Sequence, residues 1–294
     1  MKVHYFAAAL AALAMSMPGC KNSQNESHEI VKKELRIKDG VILYQSDPTA
    51  KNHIYVIGQA HRPAVDVSHV DETTSIVVAS QLQAYTIAKN LENVGSLLIE
   101  GCAIDRDLKQ FYEKFHDRHD ISLRLGFFDN GEREQEHVLS SLLETIPGEP
   151  VNDATAMIYE RYNFLSPKGF ETSEDAIDRM IELEPNLTDS KAYLEWKYLH
   201  NVRSCFLLGN GPKIGKSEYQ SGRAKSADAL SIVGYVHLPA IIEYSKRGKC
   251  ELDPPTGSVY PKVDQTLDMQ GYGVVVIVPD VLYNDFKDME RQFP

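Results

Sequence analysis

His53-Ile54-Tyr55-Val56-Ile57-Gly58-Gln59-Ala60-His61-Arg62 is the stretch on which the reading of this chain turns. Ile54 to Ile57 has the length and the β-branched, aromatic content of a buried strand. Gly58 ends it, and His61 follows three residues later. Near the other end of the chain, Leu230-Ser231-Ile232-Val233 runs into Gly234-Tyr235-Val236-His237 in the same way. Each copy predicts a strand that leaves its sheet at a glycine, with a histidine on the loop beyond. Open α/β sheets hold their ligands there.

Working outward, Ile76, Val77, Leu82, Ile87 and Leu91 recur at helical spacing after Ser68 and the acidic Asp71 and Glu72, so a helix is expected over 70–93. Gly95 closes it, and Ser96-Leu97-Leu98-Ile99-Glu100-Gly101 reads as a strand ending on a carboxylate. A strand-helix-strand unit takes a right-handed parallel crossover, which puts Ile57 and Ile99 at the same end of the sheet and makes His61 and Glu100 neighbours.

Upstream, Leu35-Arg36-Ile37-Lys38 and Val41-Ile42-Leu43-Tyr44 flank Asp39-Gly40, a hairpin whose turn calls for two positive-φ residues. Downstream, helical patterns are expected over 105–116, 132–146, 151–162, 172–183 and 189–208, with breaks near Gly131, Pro147-Gly148, Ser166-Pro167 and Pro185. Strands return at 229–233 and 273–278, with helices at 238–247 and 281–290. The expected fold is α/β: a central mixed β-sheet with flanking helices and a mostly helical insertion or cap, about 105–208, between the two GxxH motifs. The division is a signal segment at 1–19, a tether at 20–34 and a single domain from 35 to 294.

With 294 residues and 43% hydrophobic content the chain has ample material for a core. Its 31 basic and 42 acidic residues give a net charge of -11, which argues against nucleic acid as a partner. At the N-terminus, Lys2, the apolar run Phe6 to Met17 and Gly19-Cys20 predict export, too short a run for a membrane span. A small residue before Cys20, then Lys21-Asn22-Ser23-Gln24-Asn25, resembles a bacterial lipoprotein processing site and makes Cys20 a lipidation candidate. Met17 and Pro18 depart from that site, so secretion with cleavage near Ser16 is the alternative, and a short N-terminal helix on a cytosolic protein the plainer one. Periplasmic or cell-surface location follows, with membrane contact only through the lipid. Cys102, Cys205 and Cys250 match no zinc spacing and allow at most one disulfide.

A chain with 18 Gly and 10 His yields about 0.6 GxxH matches at random, so the two copies gain meaning only from their strand-like context and the glutamate between them. Two neutral imidazoles and a carboxylate, His61, His237 and Glu100, form a set that a divalent transition metal such as Mn, Co or Zn accepts. Without metal, His61 or His237 is the general base on water, with Glu100 holding the imidazole in its tautomer.

Gly58-Gln59-Ala60-His61, the strand Leu97-Leu98-Ile99-Glu100-Gly101 and Gly234-Tyr235-Val236-His237 with Leu238-Pro239 together resemble the TraB/Tiki superfamily, which also takes in erythromycin esterases and ChaN-like haem-binding lipoproteins. Arg203, within Asn201 to Asn210, is similar to the arginine-bearing helix before the last motif of that group. The resemblance covers both ends of the sheet region and not most of 102–200. It implies an active site at the strand termini and, in the Tiki branch, a divalent-metal peptidase. His61, Glu100 and His237 would then be the metal ligands and catalytic residues, Arg203 would stabilise the oxyanion, and Asn210 and Arg62 would contact substrate. The expectation is an exported hydrolase of peptides or small-molecule esters. Alternatives are a haem- or iron-binding surface lipoprotein without catalysis, a metal-independent esterase-like hydrolase, and a partner-binding scaffold. For Arg203 an ordinary salt bridge on an amphipathic helix is the competing role.

Two further segments carry less. Gly209-Asn210-Gly211-Pro212-Lys213-Ile214-Gly215-Lys216-Ser217 has the wrong glycine spacing for a phosphate loop, and is expected to be a mobile loop. His116-Asp117-Arg118-His119-Asp120 reads as a solvated face.

Overall fold

Alternation along the central strands sorts their side chains onto two faces, and each face has its own helical cover. The computed structural model describes residues 35–60, 72–91, 93–103, 166–171, 179–180, 182–183, 186–269 and 271–292. Strands β1 (Leu35–Ile37), β2 (Gly40–Gln45), β3 (Asn52–Gln59), β4 (Val94–Ala103), β5 (Ser166–Glu171), β6 (Asp228–Gly234) and β9 (Tyr272–Pro279) form one sheet in the order β1-β2-β9-β3-β6-β4-β5. β1, β2 and β9 pair antiparallel, while β9, β3, β6, β4 and β5 run parallel. β7 (Lys249–Leu252) and β8 (Val263–Thr266) make a separate antiparallel pair that the sequence reading did not anticipate.

Helix α1 (Glu72–Lys89) covers one face, where Ala84, Tyr85, Ile87 and Ala88 pack with Ile57, Leu97, Ile99, Leu230 and Ile232. Helices α2 (Ser190–Gln220), α3 (Leu238–Arg247) and α4 (Tyr283–Gln292) lie on the other, against Ile54, Val56, Leu98, Val233, Val274 and Val276. The expected α/β class is what the structure has. The crossover expectation also fits: Ile57 and Ile99 flank Ile232 in one row, because β6 is inserted between β3 and β4.

Three expectations are corrected. The hairpin turns through Lys38 and Asp39, with Asp39 at φ 64°, while Gly40 already pairs with Ile37 as the first residue of β2. Gly40 is needed for space, since a Cβ there would approach Ile87 Cδ1 to 2.7 Å. Ser166-Pro167, expected as a break between helices, opens the parallel edge strand β5. The supposed loop 209–217 is the second half of α2. Gly and Pro are poor helix formers, by about 1 and 3 kcal/mol respectively, so local propensity argued for a loop. Tertiary packing reverses it. A Cβ on Gly211 would press on Ile54 and Leu98 at 3.0 and 3.1 Å, and one on Gly215 would meet the Ala227 carbonyl, so the glycines let α2 lie close against the sheet. The expected helices at 105–116, 132–146 and 151–162 and the run 116–120 lie outside the described residues. Of 172–183, residues 179–180 and 182–183 are described and helical.

Candidate active site at the ends of β4 and β6

Parity along β4 fixes the direction of Glu100. Leu97 and Ile99 face α1, Leu98 faces α2, and Glu100 follows Leu98 onto the α2 side. β6 ends beside it at Gly234, whose N–H donates to Glu100 Oε2 at 3.0 Å. A single 3-10 turn, Tyr235–His237, then carries the chain into α3, with Pro239 in the first turn of that helix. The GxxHLP sequence is thus strand end, 3-10 turn and helix start, and it delivers His237 back over the carboxylate. Gly58 on neighbouring β3 leaves room for this turn, since a Cβ there would meet Leu238 Cδ1 at 2.6 Å.

His237 Nε2 lies 3.1 Å from Glu100 Oε1, and the same oxygen accepts from Arg203 Nη2 at 3.1 Å. Arg203 comes from the middle of α2, and its Nη1 also reaches Met180 Sδ at 3.7 Å. The side chains of Glu100, Arg203 and His237 are 13%, 8% and 5% exposed, so this is a desolvated ion pair bridged to an imidazole rather than a surface contact. Of the two roles weighed for Arg203, the salt bridge is the one the structure shows.

α2 supplies two more groups that the sequence reading overlooked. Ser204 Oγ lies 2.8 Å from His237 Nδ1, and 3.2 Å from the carbonyl oxygen of His200. The His200 ring stacks on that of His237 at 3.5 Å and 16°, and Trp196 also stacks with His200, at 5.0 Å. His200 Nε2 is buried with no hydrogen-bond partner among the described residues. Burial first, and then the neighbouring His237 and Arg203, push the His200 imidazole well below its ordinary value, which keeps it neutral near pH 7. The signal was present in the sequence: His200, Arg203 and Ser204 stand at i, i+3 and i+4, which puts them on one face of the helix.

No protein-family model matches this chain, and no curated protein or solved structure matches it significantly. What the site does is therefore a question for its own chemistry.

Of the other expected residues, Asn210 lies two helical turns beyond Arg203 and donates to the Phe170 carbonyl at 2.8 Å, tying α2 to edge strand β5. His61, Arg62 and Cys20 lie outside the described residues. Cys205 and Cys250 form a disulfide that joins α2, one residue past Ser204, to β7. A cleft of about 390 Å³ lies beside the start of α2, lined by Arg179, Lys191, Glu195, Thr256, Val259 and Tyr260 among others. None of the site residues lines it, and its depth alone gives it no chemistry.

Among the described residues, no three His, Cys, Asp or Glu side chains gather as a metal site. Of the expected ligand set, Glu100 and His237 are described and meet each other, while His61 lies outside the described residues. Arg203 places a permanent cation on Oε1, and Nε2 faces that same oxygen instead of a point shared with it. The same engagement leaves neither ring nitrogen of His237 open to a haem iron, since Ser204 takes the other. What the set is built for is holding an imidazole in a fixed plane against an ionised carboxylate.

Proposed function

We propose that this chain is an exported hydrolase of ester or amide carbonyls, of the TraB/Tiki type but in its metal-independent, esterase-like form. The observation that carries it is Glu100 receiving His237, Arg203 and the Gly234 N–H on its two oxygens. A carboxylate that holds an imidazole in one tautomer is the orienting half of a general-base pair. In this reading His61, or His237 once its Nδ1 exchanges the Ser204 hydroxyl for water, takes the proton of the attacking molecule. Arg203, a permanent cation whose Nη2 donates to Glu100, faces the oxyanion as it forms. The Cys205–Cys250 disulfide supports export, because such bonds persist in oxidising compartments.

The test is hydrolysis of p-nitrophenyl ester and peptide panels by the full chain, with and without a strong chelator. Turnover is expected to survive chelation, and to fall by roughly a hundredfold or more in Glu100→Gln and in His237→Gln. Undiminished turnover in Glu100→Gln overturns the assignment. Loss on chelation that is restored by Mn or Zn returns the chemistry to a metal. Tight haem or iron retention without turnover replaces the hydrolase reading with a binding one.

A further inference from the structure

We propose that Ser204 is a positioning residue that fixes which nitrogen of His237 carries the proton. The role rests on the hydrolase reading above, and the geometry points to it in three steps. Glu100 Oε1 is 3.1 Å from Nε2 and, as an ionised carboxylate paired with Arg203, only accepts, so Nε2 must be the protonated nitrogen. In the neutral ring Nδ1 is then a lone pair inside a side chain that is 5% exposed, and a buried acceptor requires a donor. Ser204 Oγ, 2.8 Å away, supplies it.

Ser204 has an alternative. Its hydroxyl also reaches the His200 carbonyl, the i−4 acceptor that a helix serine ordinarily takes, but at the longer distance of 3.2 Å. Donation to Nδ1 satisfies the imidazole and leaves the His200 carbonyl its own helix partner. The three contacts divide the work: Glu100 and Ser204 hold the ring at its two nitrogens, in its plane, while the His200 ring at 3.5 Å holds its face. Without Ser204, Glu100 still favours the proton on Nε2, but Nδ1 loses the hydroxyl from α2 and the Nδ1-protonated ring gains population at the expense of the bond to Glu100.

The tautomer is read directly by long-range 1H–15N spectra of the full chain with 15N-labelled histidine at about pH 7.5, where a neutral ring is expected to report its tautomer. The His237 signals are those missing from His237→Gln. The native chain is expected to show a protonated-type Nε2 and an unprotonated-type Nδ1. Ser204→Ala is expected to lose that pattern, with Nδ1-protonated ring appearing, and Ser204→Thr to restore it. Ester kcat should fall roughly ten- to hundredfold in Ser204→Ala with KM unchanged within about twofold, and recover in Ser204→Thr. A native ring protonated on Nδ1, or a folded Ser204→Ala with the native pattern, overturns the proposal. Should Ser204→Ala fail to fold by circular dichroism, the native spectrum alone decides. Absence of any hydrolysis by the native chain removes the hydrolase reading, while the spectrum still decides the hydrogen bond.

Discussion

At the scale of single residues, the site consists of groups whose neighbours leave them few states. Arg203 and Glu100 are a buried ion pair, and removing one partner of such a pair costs about 3–5 kcal/mol because the other charge is stranded. That is why isosteric changes at Glu100 and His237 are the informative ones. His200 adds a pH dependence with a definite sign. An imidazole in the unfolded chain takes up a proton near pH 6.5, whereas the buried His200 resists doing so until well below that. Between those values the unfolded chain binds the extra proton, so stability is whole above about pH 6.5 and falls as the pH drops, by at most roughly 1.4 kcal/mol per unit from this group. Thermal melts of His200→Phe, which keeps a stacking ring, should therefore lose less Tm between about pH 7.5 and pH 5 than melts of the native chain. An equal loss in both would show that His200 does not carry the effect. Glu100 and His237 were legible as residues because each stands where an apolar run stops. Ser204 was not, since its partner is 33 positions away and a serine in a helix looks ordinary until that partner is known.

At the scale of elements, α2 is the piece on which sequence and structure differ most. Its first half carries the apolar periodicity that announces a helix, and its second half carries Gly209, Gly211, Pro212 and Gly215, which announce the opposite. The resolution is contact with the sheet, a long-range property that no local window contains. It makes a testable claim about Gly215. Alanine there gains about 1 kcal/mol in helix propensity but forces its methyl against the Ala227 carbonyl, and overpacking of this kind costs typically about 1–3 kcal/mol. Gly215→Ala is therefore expected to lower the urea midpoint, against the direction that propensity alone gives. A raised midpoint would mean that α2 has room to move off the sheet. The ends of β6 and β9, by contrast, were readable to within a residue, because both are short apolar runs bounded by glycine or a polar residue, whereas β3 stays paired through Gly58 and Gln59 and β4 runs past Gly101 to Ala103. β5 escaped notice because Ser166-Pro167 is turn chemistry, tolerated here in a strand at the sheet's edge.

At the scale of the whole molecule, the parallel strands gather three separated stretches of chain at one end of the sheet: Glu100 within β4, His237 after β6, and Arg203 from α2. The Cys205–Cys250 bond closes a loop spanning 45 positions, all of α3 and the second half of α2 included. A loop of that length restrains the unfolded chain by about 4 kcal/mol in the chain-entropy account. Cys250→Ser should thus melt at lower temperature than the native chain under oxidising conditions and match it once a reductant is present. A native chain that melts at the same temperature with and without reductant would contradict this.

That bond is anchored one position along the helix from the hydroxyl that meets the His237 imidazole. Maturation of the protein and readiness of its active centre are in consequence coupled. A copy retained among reducing thiols would carry every residue of the machinery, yet would support the floor beneath it by packing alone. Under the proposed export, oxidative folding would act as a licence, issued only once the chain has left the reducing compartment.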